Sequence, residues 1–353
     1  LDFILVLKIL PVFLLWNPEK IKMNKIALAV IATALLVAAG LYKADANNTN
    51  MIPPHVHTAF ATWQNEHGKN YASPSEKNFR LGVFYKNYLT ITATNLVASG
   101  YRMGLNQFSD LTKEEFLTKH TGLRFKSVPR NEKRIEGLTQ SANKDWRADG
   151  AVNPIKNQGQ CGSCWAFSAI AATEAAWKIK GNPLLNLSEQ ALVDCSGSYG
   201  NYGCNGGWMD YAFNYNKDKG VALQADYPYT AVTGTCQTYT SQFKGTGYFD
   251  VPVNDGQQLT NAVTQQVTSV AIDAYGIMSY TSGIFNGPCG TSLNHGVAAV
   301  GYGTDGTNGT LYWIVRNSWG TSWGEQGYFR MVRDLGAGPG MCGIQMASSY
   351  PTV

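Results

Sequence analysis

All seven cysteines of this 353-residue chain lie at or beyond Cys161, and none precedes it. Whatever covalent framework the chain builds is therefore confined to its C-terminal part, and the chain divides in two. Other features divide at the same place. Four of the five histidines (His55, His57, His67, His120) precede residue 139, leaving His295 alone beyond it. Residues 1–138 carry 17 Lys and Arg against 10 Asp and Glu, while residues 139–353 carry 11 against 14. The larger part is thus mildly acidic, which removes the main support for nucleic-acid binding. With 44% hydrophobic residues there is apolar material for one or two buried cores, and disorder over most of the chain is excluded.

Two apolar runs open the chain, residues 3–16, interrupted by Lys8 and Pro11, and residues 26–41 behind Met23-Asn24-Lys25. A start at Met23, a basic Lys25, an apolar run and the small-residue site Ala44-Asp45-Ala46 read as a secretory signal over residues 23–46, cleaved after Ala46. Residues 1–22 then lie upstream of the true start. The second run falls short of the roughly 18 residues a membrane span needs, so no stable span is expected once the signal is removed. Export also favours oxidised cysteines. Seven thiols leave one unpaired, and the other six can pair in fifteen ways that sequence alone does not resolve.

Residues 47–138 are polar, cysteine-free and helical in pattern. Ser73-Pro74-Ser75-Glu76 is a helix start, with Ser73 as cap, Pro74 at the first helical position and Glu76 three residues after the cap. The helix is expected to run to about Ala98. Along it Glu76, Arg80, Phe84, Asn87, Ile91 and Asn95 recur at intervals of three or four and share one stripe. Then come Gly104, Asn106, Phe108 and Asp110 at every second position, and a basic stretch (Arg124, Lys126, Arg130, Lys133, Arg134) that reads as a linker open to cleavage.

Past Asp145-Trp146 the texture becomes rich in glycine and aromatics, with short strands expected over 297–302, 311–316 and 328–333. An Ala-rich helix is expected over 165–180, ending before Gly181, and a second over 189–195 capped by Ser188. The first of these is where chemistry concentrates. Gln158-Gly159-Gln160-Cys161-Gly162-Ser163-Cys164-Trp165 puts Cys164 at its N-terminus, where the helix dipole and free N–H groups stabilise a thiolate. A thiol nucleophile needs a base, and His295 is the one imidazole available. The base needs an orienting group, which Asn317 supplies in Arg316-Asn317-Ser318-Trp319-Gly320. Cys161-x-x-Cys164 also has redox and zinc readings, but no second such pair exists. By parity, Cys164 is the natural odd thiol.

These residues together resemble a papain-like cysteine protease proenzyme, nearest the cathepsin L type, over roughly residues 55–353. The stripe from Glu76 to Asn95 matches the family's prodomain motif at every position, and Gly104 to Asp110 matches its second. Gly203-Cys204-Asn205-Gly206-Gly207 and the closing Ser348-Ser349-Tyr350-Pro351-Thr352-Val353 are similar to cathepsin L. The resemblance implies an α+β fold of two domains, one mainly helical and one β-barrel-like, behind a helical inhibitory prodomain at 47–138, with the mature peptidase at 139–353. It implies Cys164 as nucleophile, His295 as its imidazolium partner, Asn317 as orienter, and the Gln158 side chain with the Cys164 backbone N–H as oxyanion hole. It implies the pairs Cys161–Cys204, Cys195–Cys236 and Cys289–Cys342. Substrate is expected along Gly206, Gly207 and Trp319. The pocket for the side chain two positions before the cut is expected at Trp208, Met209, Ala271, Gly296 and Ala347, apolar and fairly deep, with Trp208 narrowing its entrance. No long His-bearing insertion of the cathepsin B type is seen, so internal cleavage is expected. Asn294 stands where the family usually has Asp. No metal or cofactor is required. The implied partners are protein and peptide substrates, the chain's own prodomain as inhibitor, and cystatin-type inhibitors. A monomer is expected, in the secretory pathway and bound for a lysosome, food vacuole or other acidic compartment, or for secretion. Acid is expected to trigger activation, with Asp110 as a buried switch.

Overall fold

The computed structural model describes residues 52–124, 130–139 and 141–353, so the signal expected at 23–46 and the residues before it lie outside it. Among the described residues no helix is long and apolar enough to cross a membrane. The first part contributes α1 (Pro54–Glu66), α2 (Pro74–Val97), β1 (Tyr101–Met103) and α3 (Lys113–His120). Helix α2 starts as its sequence dictates: Ser73 Oγ accepts the Glu76 N–H at 3.1 Å, and the Glu76 carboxylate accepts the Ala72 N–H at 2.8 Å.

The stripe on α2 serves two purposes. Phe84 is fully buried and joins Val56, Phe60 and Trp63 of α1 in a small core. Truncating a Phe to Ala in such a site costs about 3–5 kcal/mol, a large share of what a core this small supplies. The polar members fasten the chain that follows. Asn87 Nδ2 donates to the carbonyls of Ser109 (2.9 Å) and Leu111 (3.1 Å), and Asn95 both donates to and accepts from the Met103 backbone. Arg80 pairs with Glu115 at 2.6 Å. The segment so held is the alternating Gly-Asn-Phe-Asp motif, which faces the other way, toward the second part. Gly104 N–H donates to Ser279 O, Asn106 Nδ2 to Met278 O, and Phe108 lies edge-on to both Phe116 and Trp319 at 5.3 Å. Asp110 stays within the first part, bonded to Lys69 and Tyr71 at 3.0 Å each.

In the second part α4 (Cys164–Ile179) is buried along most of its length, and its six alanines let α5 (Glu189–Cys195) and α6 (Met209–Asp218) approach closely around Trp165, Leu192 and Phe213. Ser188 Oγ caps α5 by accepting the Ala191 N–H. The remainder is one sheet in the order β1-β5-β8-β7-β6-β4-β9-β3. Its strands are β3 (Gly247–Asp250), β4 (Thr268–Ile272), β5 (Tyr280–Phe285), β6 (His295–Thr304), β7 (Leu311–Arg316), β8 (Tyr328–Val332) and β9 (Ser348–Thr352). In addition β2 (Lys144–Asp145) pairs with β6, and α7 (Gly256–Gln265) lies between β3 and β4 in sequence. Val270, Trp313, Val315, Phe329 and Met331 form its core. Strand β1 of the first part pairs with β5, at a place only glycine permits: Gly283 has φ +89°, and a Cβ there would lie 2.4 Å from Gly100 O.

Three disulfides join Cys161 to Cys204, Cys195 to Cys236 and Cys289 to Cys342. Each closes a loop of some 40 to 50 residues, a chain-entropy contribution of about 4 kcal/mol apiece. Cys164 is the free thiol among the described residues. One expectation needs correction. The basic stretch is not an open linker at residues 130–135, where Arg130, Asn131 and Ile135 bond to β3, β9 and α7; Lys126 lies outside the described residues.

Candidate active site

Helix α4 delivers Cys164 as its first residue, β6 delivers His295 as its first, and Asn317 follows the last residue of β7. The register that pairs β6 with β7 thus brings the imidazole and the amide together. His295 Nε2 lies 2.8 Å from Asn317 Oδ1. That oxygen also accepts the Ser318 N–H, which fixes the amide's orientation, so Nε2 carries the proton and Nδ1 is left as the basic nitrogen. Nδ1 is buried without a partner. Trp319 stacks over His295 at 4.6 Å and keeps water from the His–Asn bond. Cys164 Sγ accepts the Gly296 N–H at 3.3 Å, setting the residue after His295 against the sulfur. Gln158 is held by Ser318, whose hydroxyl donates to Oε1 at 2.7 Å, so its Nε2 points as a donor.

That donor is already occupied. The chain leaving α3 passes through the site, and Gln158 Nε2 donates to His120 O (3.3 Å) as well as to Cys161 O. Trp319 Nε1 also donates to His120 O. The backbone N–H groups of Gly122 and Leu123 both donate to Asn294 O, Arg124 N–H to Gly207 O, and Gly207 N–H to Gly122 O. A Cβ on Gly122 would lie 2.1 Å from Gly162 O, so glycine alone passes there. Cys164 and His295 are both fully buried in this form of the chain. Despite its place at a helix start, the Cys164 thiol is pushed up to about 12 by burial, against the pull of the Gly296, Trp165 and Cys164 N–H groups. Burial likewise drives His295 down to about 4, against the Asn317 bond. Hydration of the site lessens both shifts, since burial is the leading cause of each.

Of the expected pocket residues, Trp208, Met209, Ala271 and Ala347 share one buried cluster, and Leu123 packs against it. At Gly296 a Cβ would lie 3.1 Å from Met209 Sδ, so the missing side chain leaves the sulfur its room. The Trp208 indole is buried and donates to Asp210 at 2.7 Å, a bond the sequence did not suggest. Asn294 bonds Asp273 and Ala274 through its side chain while its carbonyl receives the segment. Sequence reasoning missed His120, Leu123 and Glu115. Only Glu115 has a local signal, the box Thr112-x-x-Glu115 that caps α3. His120 is buried, bonded through Nδ1 to Gly159 O and packed on Phe108 at 4.6 Å.

Alkylating the unreduced mature protein is expected to label Cys164 and no other cysteine, read by mass spectrometry; label on Cys161 contradicts the pairing.

A cleft between helices and sheet, set with Cys, His and Asn and blocked by the chain's own N-terminal part, defines the precursor of a cysteine protease. Family models match accordingly: the papain family cysteine protease over residues 140–352 and the cathepsin propeptide inhibitor domain over residues 60–116. The chain belongs to the papain family of cysteine proteases, and is a cysteine-type endopeptidase made with an inhibitory propeptide. The senescence-specific cysteine protease SAG12 of Arabidopsis thaliana is 44% identical over 309 residues, 82% of this chain and 88% of that protein. Ananain of Ananas comosus is 44% identical over 309 residues, 83% and 87% of the two chains. Among solved structures, the recombinant stem bromelain precursor superposes with a TM-score of 0.76 at 43% identity, over 84% of this chain and 99% of that one. Digestive procathepsin L 3 of Tenebrio molitor gives 0.76 at 40% identity, again over 84% and 99%.

Proposed function

We propose that Cys164, His295, Asn317 and Gln158 carry out peptide-bond hydrolysis through a thioester. The observation that carries this reading is the His295–Asn317 bond beneath Trp319, with Cys164 Sγ against Gly296. Once residues 120–124 leave, water returns and the proton moves from Sγ to His295 Nδ1. The thiolate attacks the scissile carbonyl, forming a C–S bond and an oxyanion that accepts from Gln158 Nε2 and the Cys164 N–H. His295 gives its proton to the departing amine as the C–N bond breaks. It then takes a proton from water as the water oxygen bonds to the thioester carbon; the C–S bond breaks, the acid leaves, and His295 returns the proton to Sγ.

The substrate side chain two positions before the cut is apolar and of about leucine size. Leu123 supports this, since it bridges to Gly207 and packs on the cluster of Trp208, Met209, Ala271 and Ala347, none of them charged. An arginine buried against these uncharged side chains loses its hydration, at a cost of several kcal/mol. Fluorogenic Leu-Arg is therefore expected to exceed Arg-Arg in kcat/KM by about 100-fold, each tenfold step being about 1.4 kcal/mol. Comparable values overturn the pocket assignment while leaving the catalytic residues standing.

Removal of residues 47–138 is acid-driven, in a secretory or vacuolar setting. Charge supports this: residues 47–138 hold 12 Lys and Arg against 7 Asp and Glu, facing a part with 11 against 14. Glu115 supports it too. The Arg80 hydrogen bond is a leading cause holding its carboxyl below the ordinary 4.5, so the stability it gives α3 is complete above 4.5 and lost as pH falls below it. The emptied cleft also suits a cystatin-type inhibitor, and the mature enzyme acts as a monomer.

A further inference from the structure

Strand β3 ends the sheet, with β9 on one side. Residues 130–135 run past its other edge and pair with it at one parallel bridge, Glu132 with Asp250: Asp250 N–H donates to Asn131 O and Lys133 N–H to Asp250 O, both at 2.9 Å, and Asn131 Nδ2 donates to Tyr248 O at 3.0 Å. At the head of this segment Arg130 Nη2 donates to the carbonyls of Val251 (2.9 Å) and Ser348 (3.3 Å) and lies 3.4 Å from the Asp250 carboxylate. The other Asp250 oxygen accepts the Asn131 N–H at 2.7 Å. At its tail Ile135 packs on the sheet core, with its N–H and C=O bonded by Gln258 and Asn261 of α7.

Near Asp250 is Asp210, also buried, which accepts from Trp208 Nε1 and the Ser349 hydroxyl. Burial first, then the Asp250 charge, raises Asp210 to about 6, and Arg130 pulls both carboxyls back down. Two buried carboxyl groups with a guanidinium on top form a site that is short of one positive charge whenever the arginine leaves. The bonds that residues 130–135 make share no partner with the hydrogen bonds that hold 120–124 to Gln158, Trp319, Asn294 and Gly207.

We propose that the edge of β3, with Asp250 and Asp210 behind it, is a second peptide-docking site of the mature domain, one that takes an extended segment led by arginine, and that residues 130–135 fill it as a separate anchor of the inhibitory segment. This rests on reading 47–138 as the removable part. Edge pairing supplies the backbone bonds and the carboxyl pair supplies the choice of arginine. Because the two contacts share one chain, each raises the local concentration of the other, so severing the cleft contact alone leaves the segment held.

Two measurements test this, and neither reads peptide hydrolysis, so failure of the catalytic assignment leaves both standing. In the full chain carrying Cys164→Ala, Arg130→Gln is expected to speed amide exchange at Lys133 and Asp250 at least about tenfold while the Leu123 and Arg124 amides stay protected. Unchanged exchange at Asp250, or equal loss of protection in the cleft, overturns the proposal. A fluorescent peptide of residues 130–136 is expected to bind the mature enzyme alkylated at Cys164, and the Arg130→Gln peptide at least about tenfold more weakly. Absence of saturable binding, equal binding of the two peptides, or displacement by a peptide of residues 119–124 overturns it as well.

Discussion

Cys164→Ala is expected to lower kcat/KM on a fluorogenic peptide by about 10^4-fold or more and to leave the fold intact. The size of the loss follows from what the sulfur does. In a covalent mechanism the attacking atom has no substitute, and members of such a set fail together rather than in proportion. The fold survives because the change removes one buried atom at a helix start, while the three disulfides and the Trp165, Leu192 and Phe213 packing stay in place. A loss of about 1 kcal/mol moves the melting temperature of a domain this size by about 2–4 °C. Activity measured on acid-treated protein, together with Tm, checks both halves. A folded Cys164→Ala protein that still turns over substrate contradicts the nucleophile assignment; an unfolded one shows that the thiol is structural.

The second large effect is expected at His120, in the segment that blocks the cleft. Its imidazole is driven by burial from 6.5 to about 4, the bond to Gly159 O notwithstanding. A docked histidine with a depressed value resists a proton that the released, hydrated one accepts. Docking is therefore fully favoured above 6.5 and loses stability as pH falls from 6.5 toward 4, by about 3 kcal/mol over that window. His120→Phe keeps an aromatic ring against Phe108 and Phe116 but removes the proton site. At pH 4.5 its conversion is expected to be slower than wild type by up to about 100-fold, with little difference at pH 7. Identical pH profiles for conversion show that the drive lies elsewhere, with Glu115 the next group to change. Asp110, singled out from sequence as the switch, is buried and tied to Lys69 and Tyr71.

What could be read from the chain alone depended on whether chemistry or packing fixed the residue. Cys164, His295 and Asn317 are legible because a thiol nucleophile, an imidazole and a neutral orienter are each rare in their setting, and the structure draws all three to one cleft. Helices α2 and α5 are legible because Ser73 and Ser188 cap them through local bonds. Residue texture gives β6, β7 and β8 but not the other six strands, nor their order, which rests on pairings between residues far apart in sequence such as β4 with β9. Strand β6 shows why its ends were missed: it is buried on both faces from His295 to Gly303, so no alternation marks where it begins. Arg130 to Ile135 read as a basic loop, since nothing local reveals that Asp210 and Asp250 wait for a cation. The helix start favours a Cys164 thiolate, as its N–H groups do in the structure, but burial opposes it, and burial is not written in the local sequence.

The most direct test is to hold the full-length protein at pH 4.5 and at pH 7.5 and to follow chain length and hydrolysis of fluorogenic Leu-Arg together. Expected is a lag at pH 4.5, then thiol-dependent hydrolysis rising in step with loss of residues 47–138, and an intact, silent chain at pH 7.5. Efficient conversion at pH 7.5 with none at pH 4.5, or hydrolysis by the uncut chain, contradicts an acid-released precursor.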